Sequence, residues 1–160
     1  MDLPETPDTQ RHRWRIGYAS GAFDQLHVGH LRYLRAAADR CERLIVGMPS
    51  DDVVARAKGK APLTPQAERL ELVAAFACVA EALPVAVSME DADLFAAFVT
   101  GLGIDAAFIG ADWEDTPRWS RLRPKLEALG ISVIFLPRTA GISSSLLRAR
   151  LAGATPGSPP

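Results

Sequence analysis

The chain has 160 residues, 48% of them hydrophobic, with 18 basic against 19 acidic side chains and a net charge of −1. That is the size of one domain able to bury a core, too apolar for a disordered chain, and its balanced charge gives no field that would draw nucleic acid or an acidic membrane. No apolar run approaches the roughly 20 residues that span a bilayer, Met1-Asp2-Leu3-Pro4-Glu5 does not read as a signal peptide, and Cys41 and Cys78 read as reduced core thiols, so the expectation is a cytoplasmic protein.

Residues 1–13 form a polar arm expected to be disordered, residues 14–152 the folded domain, and residues 153–160 a disordered tail. The first strand-like run is Ile16–Ser20. A helical stripe follows at Leu31, Leu34, Ala38 and Cys41, then a strand at Leu44–Met48. Lys58-Gly59-Lys60 reads as a loop able to close. Thr64-Pro65 opens a further helix, with Thr64 as N-cap and Pro65 at the first helical position. A third strand is read at Leu83–Val87 and a helix through Phe95, Phe98, Val99 and Leu102. Gly101-Leu102-Gly103 follows that helix, so it reads as a helix stop rather than a dinucleotide fingerprint. Strands at Ala106–Ile109 and Ile131–Leu136 flank a helix striped by Trp119, Leu122, Leu126 and Leu129. Ser143, Ser144 and Ser145 open the last helix, with Leu146, Leu147 and Leu151 facing inward. This alternation predicts an α/β fold: a single Rossmann-like, doubly wound parallel sheet of about five strands with helices on both faces.

Ligands of such sheets bind at the carboxyl ends of the strands, and there the chain places its most informative residues. His27-Val28-Gly29-His30 stands between the first strand and the first helix. A lone histidine at a helix start is commonly just a hydrogen-bonding end group. Two of them, three apart on one face of the first turn, aim ring N–H groups and free backbone N–H groups the same way, toward an anion. Gly29 leaves room for a bulky group to approach the backbone. Zinc does not fit: helical ligand pairs are spaced by four with a glutamate and a third ligand, and the only other histidine is His12. No metal ligand is assigned.

Gly21-x-Phe23-Asp24-x-x-His27-x-Gly29-His30 resembles the signature of the cytidylyltransferase-like nucleotidyltransferases. Arg138-Thr139-Ala140-Gly141-Ile142-Ser143-Ser144-Ser145 resembles their second motif, Gly110-Ala111-Asp112-Trp113 a Gly-Asp-Asp-Trp segment, and Lys58-Gly59-Lys60 with Glu68-Arg69 the basic loop and the step after it. The likeness runs from about Ile16 to Leu151 and is closest to the glycerol-3-phosphate cytidylyltransferases. Two departures stand out: Ala77-Cys78-Val79-Ala80-Glu81 lacks a basic group that these enzymes carry, and Val28 replaces a bulky aromatic.

The resemblance implies that CMP passes from CTP to a small phosphorylated alcohol, releasing pyrophosphate. Such chemistry needs positioning and charge stabilisation rather than a covalent nucleophile. His27, His30, Lys58 and Arg138 are the implied catalytic residues. The implied nucleotide site comprises Gly21, Ala22, Phe23, Asp24, His27, Gly29, His30, Lys60, Gly110, Asp112, Arg138, Thr139, Ile142, Ser143, Ser144 and Ser145. Lys58 and Arg69 would meet the acceptor, Mg²⁺ would accompany the nucleotide, and a homodimer is expected. The other readings are an adenylyltransferase acting on a sugar phosphate such as a heptose phosphate, and a nucleotide-binding module without turnover.

Overall fold

A computed structural model describes residues 13–153; the expected arm, apart from Arg13, and the expected tail, apart from Gly153, lie outside the described residues. Five strands, β1 Trp14–Ser20, β2 Cys41–Pro49, β3 Glu81–Val85, β4 Ala106–Gly110 and β5 Ser132–Leu136, form one sheet in the order β3-β2-β1-β4-β5. Every pairing is parallel. The helices are α1 Val28–Ala38, α2 Asp51–Lys58, α3 Gln66–Ala74, α4 Ala92–Gly101, α5 Pro117–Ala128 and α6 Ser144–Gly153. From β1 the chain winds outward through β2 to β3, then crosses back and winds the other way through β4 to β5. The direction reverses between β1 and β4, where open α/β sheets form their ligand crevice.

Both faces of the sheet are covered, as parallel strands require. Tyr18, Ile45, Ala107 and Ile109 point to one side, under Phe95 and Val99 of α4 and Trp119, Leu122 and Leu126 of α5. Their strand neighbours Ala19, Leu44, Val46, Ala106 and Phe108 point to the other, against Leu34 and Ala37 of α1 and Val73 of α3. The alternation is the two-residue period of a strand buried on both sides.

Several expected boundaries move. Cys41 does not end the α1 stripe; it opens β2 opposite Trp14, and α1 buries Leu34 and Ala37 instead. β2 therefore begins three residues early, through Glu42 and Arg43, which are exposed. β3 begins at Glu81, paired with Ile45, and holds Pro84 within it. It is an edge strand, where one side of the backbone needs no partner and proline is tolerated. Lys58 is the last residue of a helix rather than a loop residue, with Gly59 in the left-handed conformation (φ 71°) ending α2. The α3 cap is Pro65, not Thr64, whose carbonyl is taken by Arg69. Leu151 is 69% exposed rather than inward-facing.

Candidate active site

At the carboxyl ends of β1 and β4 lies a cavity of about 670 Å³. Every residue of the expected site lines it except Arg69, including Gly21, Ala22, Lys58, Lys60, Gly110, Thr139 and Ser145.

The two histidines cap α1 reciprocally. His27 is the N-cap, in extended conformation, and its Nδ1 accepts the N–H of Gly29 at 3.0 Å. His30 Nδ1 accepts the N–H of His27 at 3.3 Å. The rings stack at 3.9 Å, with the edge of Phe23 against His30 at 5.4 Å. With both Nδ1 atoms accepting, a neutral ring must carry its proton on Nε2, the edge away from the helix backbone. His30 is pushed down to about 4 by burial, then by His27 and Lys58, and His27 is lowered by burial and Arg138. At neutral pH the site therefore offers two fixed, uncharged Nε2–H donors. Gly29 lies beneath this pair for want of space: a Cβ there would sit 2.8 Å from the His27 ring and 3.2 Å from Ile142 Cγ2. The space on its Cβ side is taken by that ring and methyl, while Gly29 still lines the cleft.

The loop from Gly21 to His27 holds two strained residues, Phe23 (φ 48°) and Gln25 (φ 51°). Left-handed backbone at non-glycine residues costs about 1–2 kcal/mol each and persists where surroundings dictate it. Here Asp24, 3% exposed, is the anchor. Its carboxylate accepts the N–H of Leu63 at 3.0 Å and of Thr64 at 3.1 Å and pairs with Arg148, while its carbonyl takes the Ser144 hydroxyl at 2.7 Å. Burial would raise its pKa, but these donors outweigh it and hold the carboxyl below its ordinary value. Asp24 thus lines the cleft with its carboxylate already committed, which makes it a positioning residue.

Arg69, expected on the acceptor, is fully buried. Nε donates to Thr64 O (2.9 Å), one terminal nitrogen to Ala22 O (2.6 Å) and Met48 Sδ (3.1 Å), and the other to Pro49 O (3.1 Å) and Asp51 (2.5 Å). A guanidinium has five N–H groups, and all five are used. Arg69 knits the β1 loop, the end of β2 and the start of α2; it has no donor left for a substrate. Ala77 is exposed between α3 and β3 and does not line the cleft.

The far wall comes from β4, β5 and α6. Arg138 and Asp112 face one another at 3.8 Å, each about half exposed. Ser143 Oγ caps the N–H of Leu146 at 3.0 Å, Ser144 holds Asp24, and exposed Ser145 is left facing the cleft. Arg148 was not singled out from the sequence. Its signal is its position four residues after Ser144, on the same face of α6, and both side chains meet Asp24. Among the described residues no three His, Cys, Asp or Glu side chains gather as a metal site, and no helix is long and apolar enough to cross a membrane.

Comparison with known proteins places this geometry. The cytidylyltransferase-like family matches residues 18–150. The chain is 38% identical over 146 residues to the bifunctional protein HldE of Rhodospirillum rubrum, covering 90% of this chain and 28% of that protein. It is 36% identical to the HldE of Halorhodospira halophila, over 86% of this chain and again 28% of the relative. These names differ from the glycerol-3-phosphate branch that the motifs resemble, and the chain spans little more than a quarter of these curated relatives. Among solved structures, a lipopolysaccharide core biosynthesis protein from Thermoplasma volcanium matches with a TM-score of 0.63 and 27% identity, covering 79% of this chain and 97% of that one. An Archaeoglobus fulgidus protein of unknown function, 17% identical at a TM-score of 0.52, shares the fold.

Proposed function

The chain belongs to the cytidylyltransferase-like family, and from that premise we propose that it is a nucleotidyltransferase that moves a nucleoside monophosphate from ATP onto a sugar phosphate of the heptose phosphate kind. A phosphate oxygen of the acceptor attacks the α-phosphorus in line. The new P–O bond joins acceptor and nucleotide, the α–β bridging P–O bond breaks, and pyrophosphate leaves with the electron pair. The observation that carries the nucleotidyl transfer, with either nucleotide, is the paired histidine cap, with two Nε2–H donors fixed before any ligand arrives, in a cleft also lined by Lys58, Arg138 and Ser145; the choice of ATP follows the likeness to the HldE proteins. Donors set in advance stabilise the charge that grows on phosphate oxygens without reorganising.

The acceptor class is supported by the relatives. The Thermoplasma protein is named for the lipopolysaccharide core, an oligosaccharide, and oligosaccharides are built from nucleotide-activated sugars. A second reading, CTP with glycerol 3-phosphate or a similar phosphorylated alcohol, is favoured by the run Arg138-Thr139-x-Gly141-Ile142-Ser143. Mg²⁺ would be held by the nucleotide phosphates and their waters, since Asp24 is committed and Asp112 faces Arg138. The proposal includes a cytoplasmic enzyme acting as a homodimer.

A pyrophosphate-release screen of ATP and CTP against sugar phosphates and glycerol 3-phosphate tests it. Release with ATP and a sugar phosphate is the expected result, and release with CTP and glycerol 3-phosphate would establish the second reading. No release with any pair, despite nucleotide binding, would leave a non-catalytic nucleotide-binding module.

A further inference from the structure

We propose that Trp113, backed by Arg118, is the platform on which the nucleobase stacks. The inference rests on the nucleotide reading above and concerns the part of a nucleotide that phosphate donors do not address.

Trp113 closes the short 3₁₀ turn after β4, lines the cleft and is 38% exposed. The other tryptophans serve the core: Trp119 is 2% exposed, and partly buried Trp14 packs edge-on against Phe108. An indole open to the mouth of a cleft leaves apolar surface in water that a ligand could cover.

Its plane is also fixed. The Arg118 guanidinium lies 4.7 Å from the ring centroid, and its side chain is only 16% exposed. Two nitrogens of that guanidinium contact Glu90 Oε1, at 2.7 and 2.6 Å, and Arg121 holds Oε2 at 3.1 Å. Glu90 comes from the β3–α4 connection and Arg118 from the first turn of α5, so three segments set one ring. Asp112, adjacent to Trp113, faces Arg138 at 3.8 Å, which starts the shelf where the charged wall ends. A rigid indole with a cation on one face presents the other to any planar base, because every base has a π-face. A two-ring base covers more of the indole than a one-ring base, so ATP depends on Trp113 more than CTP does.

Calorimetric titration of wild type and Trp113→Ala with ATP, CTP and tripolyphosphate, all with Mg²⁺, tests the platform. Tripolyphosphate carries the phosphates and no base. Trp113→Ala should weaken ATP by about 5- to 150-fold, the loss on removing one aromatic partner of a stacked base, and leave tripolyphosphate binding unchanged. Trp113→Phe, which keeps a smaller ring, should fall between. ATP bound as tightly by Trp113→Ala as by wild type overturns the platform, and so does an equal loss of ATP and tripolyphosphate. Should Trp113→Ala lose its melting transition, Trp113→Phe carries the same comparison of ATP with tripolyphosphate. If wild type itself gains nothing from a base, binding tripolyphosphate as tightly as ATP and CTP, the nucleotide reading fails and the platform with it.

Discussion

Arg148 and Asp24, 124 positions apart, form an ion pair that fastens the last helix to the loop after β1. The same carboxylate receives the backbone of Leu63 and Thr64, and the Asp24 carbonyl receives Ser144. Three segments that carry candidate phosphate donors are tied at this residue: His27–His30, the stretch after Lys58, and Ser143–Ser145.

Asp24→Asn is therefore expected to lower stability by about 1.5–3 kcal/mol, the scale of a lost hydrogen bond to a charged group, with the deficit read in urea denaturation. The folded carboxyl titrates below its ordinary 3.8. Its contribution is present above that value and lost as pH falls through the lower, folded one. The wild type and Asp24→Asn should thus converge in stability only in acid below pH 3.8. Parallel curves down to that range would show that Asp24 is not held as an anion.

His30 gives a second, separate window. Its pKa falls from 6.5 to about 4 on folding, so between those values the unfolded chain binds a proton that the folded chain does not. Stability from this group is complete above 6.5 and declines as pH falls toward 4. His30→Asn should flatten that part of the Tm profile relative to wild type. An unchanged slope would mean that His30 is not held neutral.

Much of this was legible in the sequence, and the rest was hidden for physical reasons. The sheet followed from alternating apolar runs, and the two-histidine cap from its place between a strand and a helix. A cysteine fits an apolar helix stripe as well as a strand start, so Cys41 alone does not separate α1 from β2, and the charged Glu42 and Arg43 mask the beginning of β2. β3 starts two residues before the apolar run that signals it, because exposed Glu81 carries no strand signal, and the edge position tolerates Pro84 inside it. Arg69 read as a substrate residue because sequence shows its charge and not its burial. The five acceptors that consume its donors come from Ala22, Met48, Pro49, Asp51 and Thr64, and no local pattern announces such a set.

Arg69→Lys should consequently behave as a folding mutant. A lysine has three donors on a point charge and cannot reproduce the planar fork, so several buried acceptors would lose their partner. The expected loss is about 3–5 kcal/mol, the range for breaking a buried ionic network, seen as a fall in Tm. A variant with wild-type Tm and a raised KM for the acceptor alone would return Arg69 to the substrate.

Gly29→Ala separates stability from chemistry at the histidine pair. Gly29 is the second residue of α1, where alanine is intrinsically better than glycine by up to about 1 kcal/mol. Its Cβ, however, would stand 2.8 Å from the His27 ring, inside any real contact. The ring must swing away, giving up the Gly29 N–H bond and the stack on His30, and its Nε2–H then points elsewhere. Turnover should drop about 10²–10³-fold, the loss expected on removing one fixed transition-state donor, and His27→Ala should fall by a similar factor. The two variants differ in stability. His27→Ala loses an N-cap, about 0.5–2 kcal/mol, whereas Gly29→Ala loses the cap bond but gains helix propensity and should melt closer to wild type. Pyrophosphate release and thermal melts on the same samples decide it. Gly29→Ala turning over like wild type would mean that the orientation of the His27 ring does not matter to the reaction.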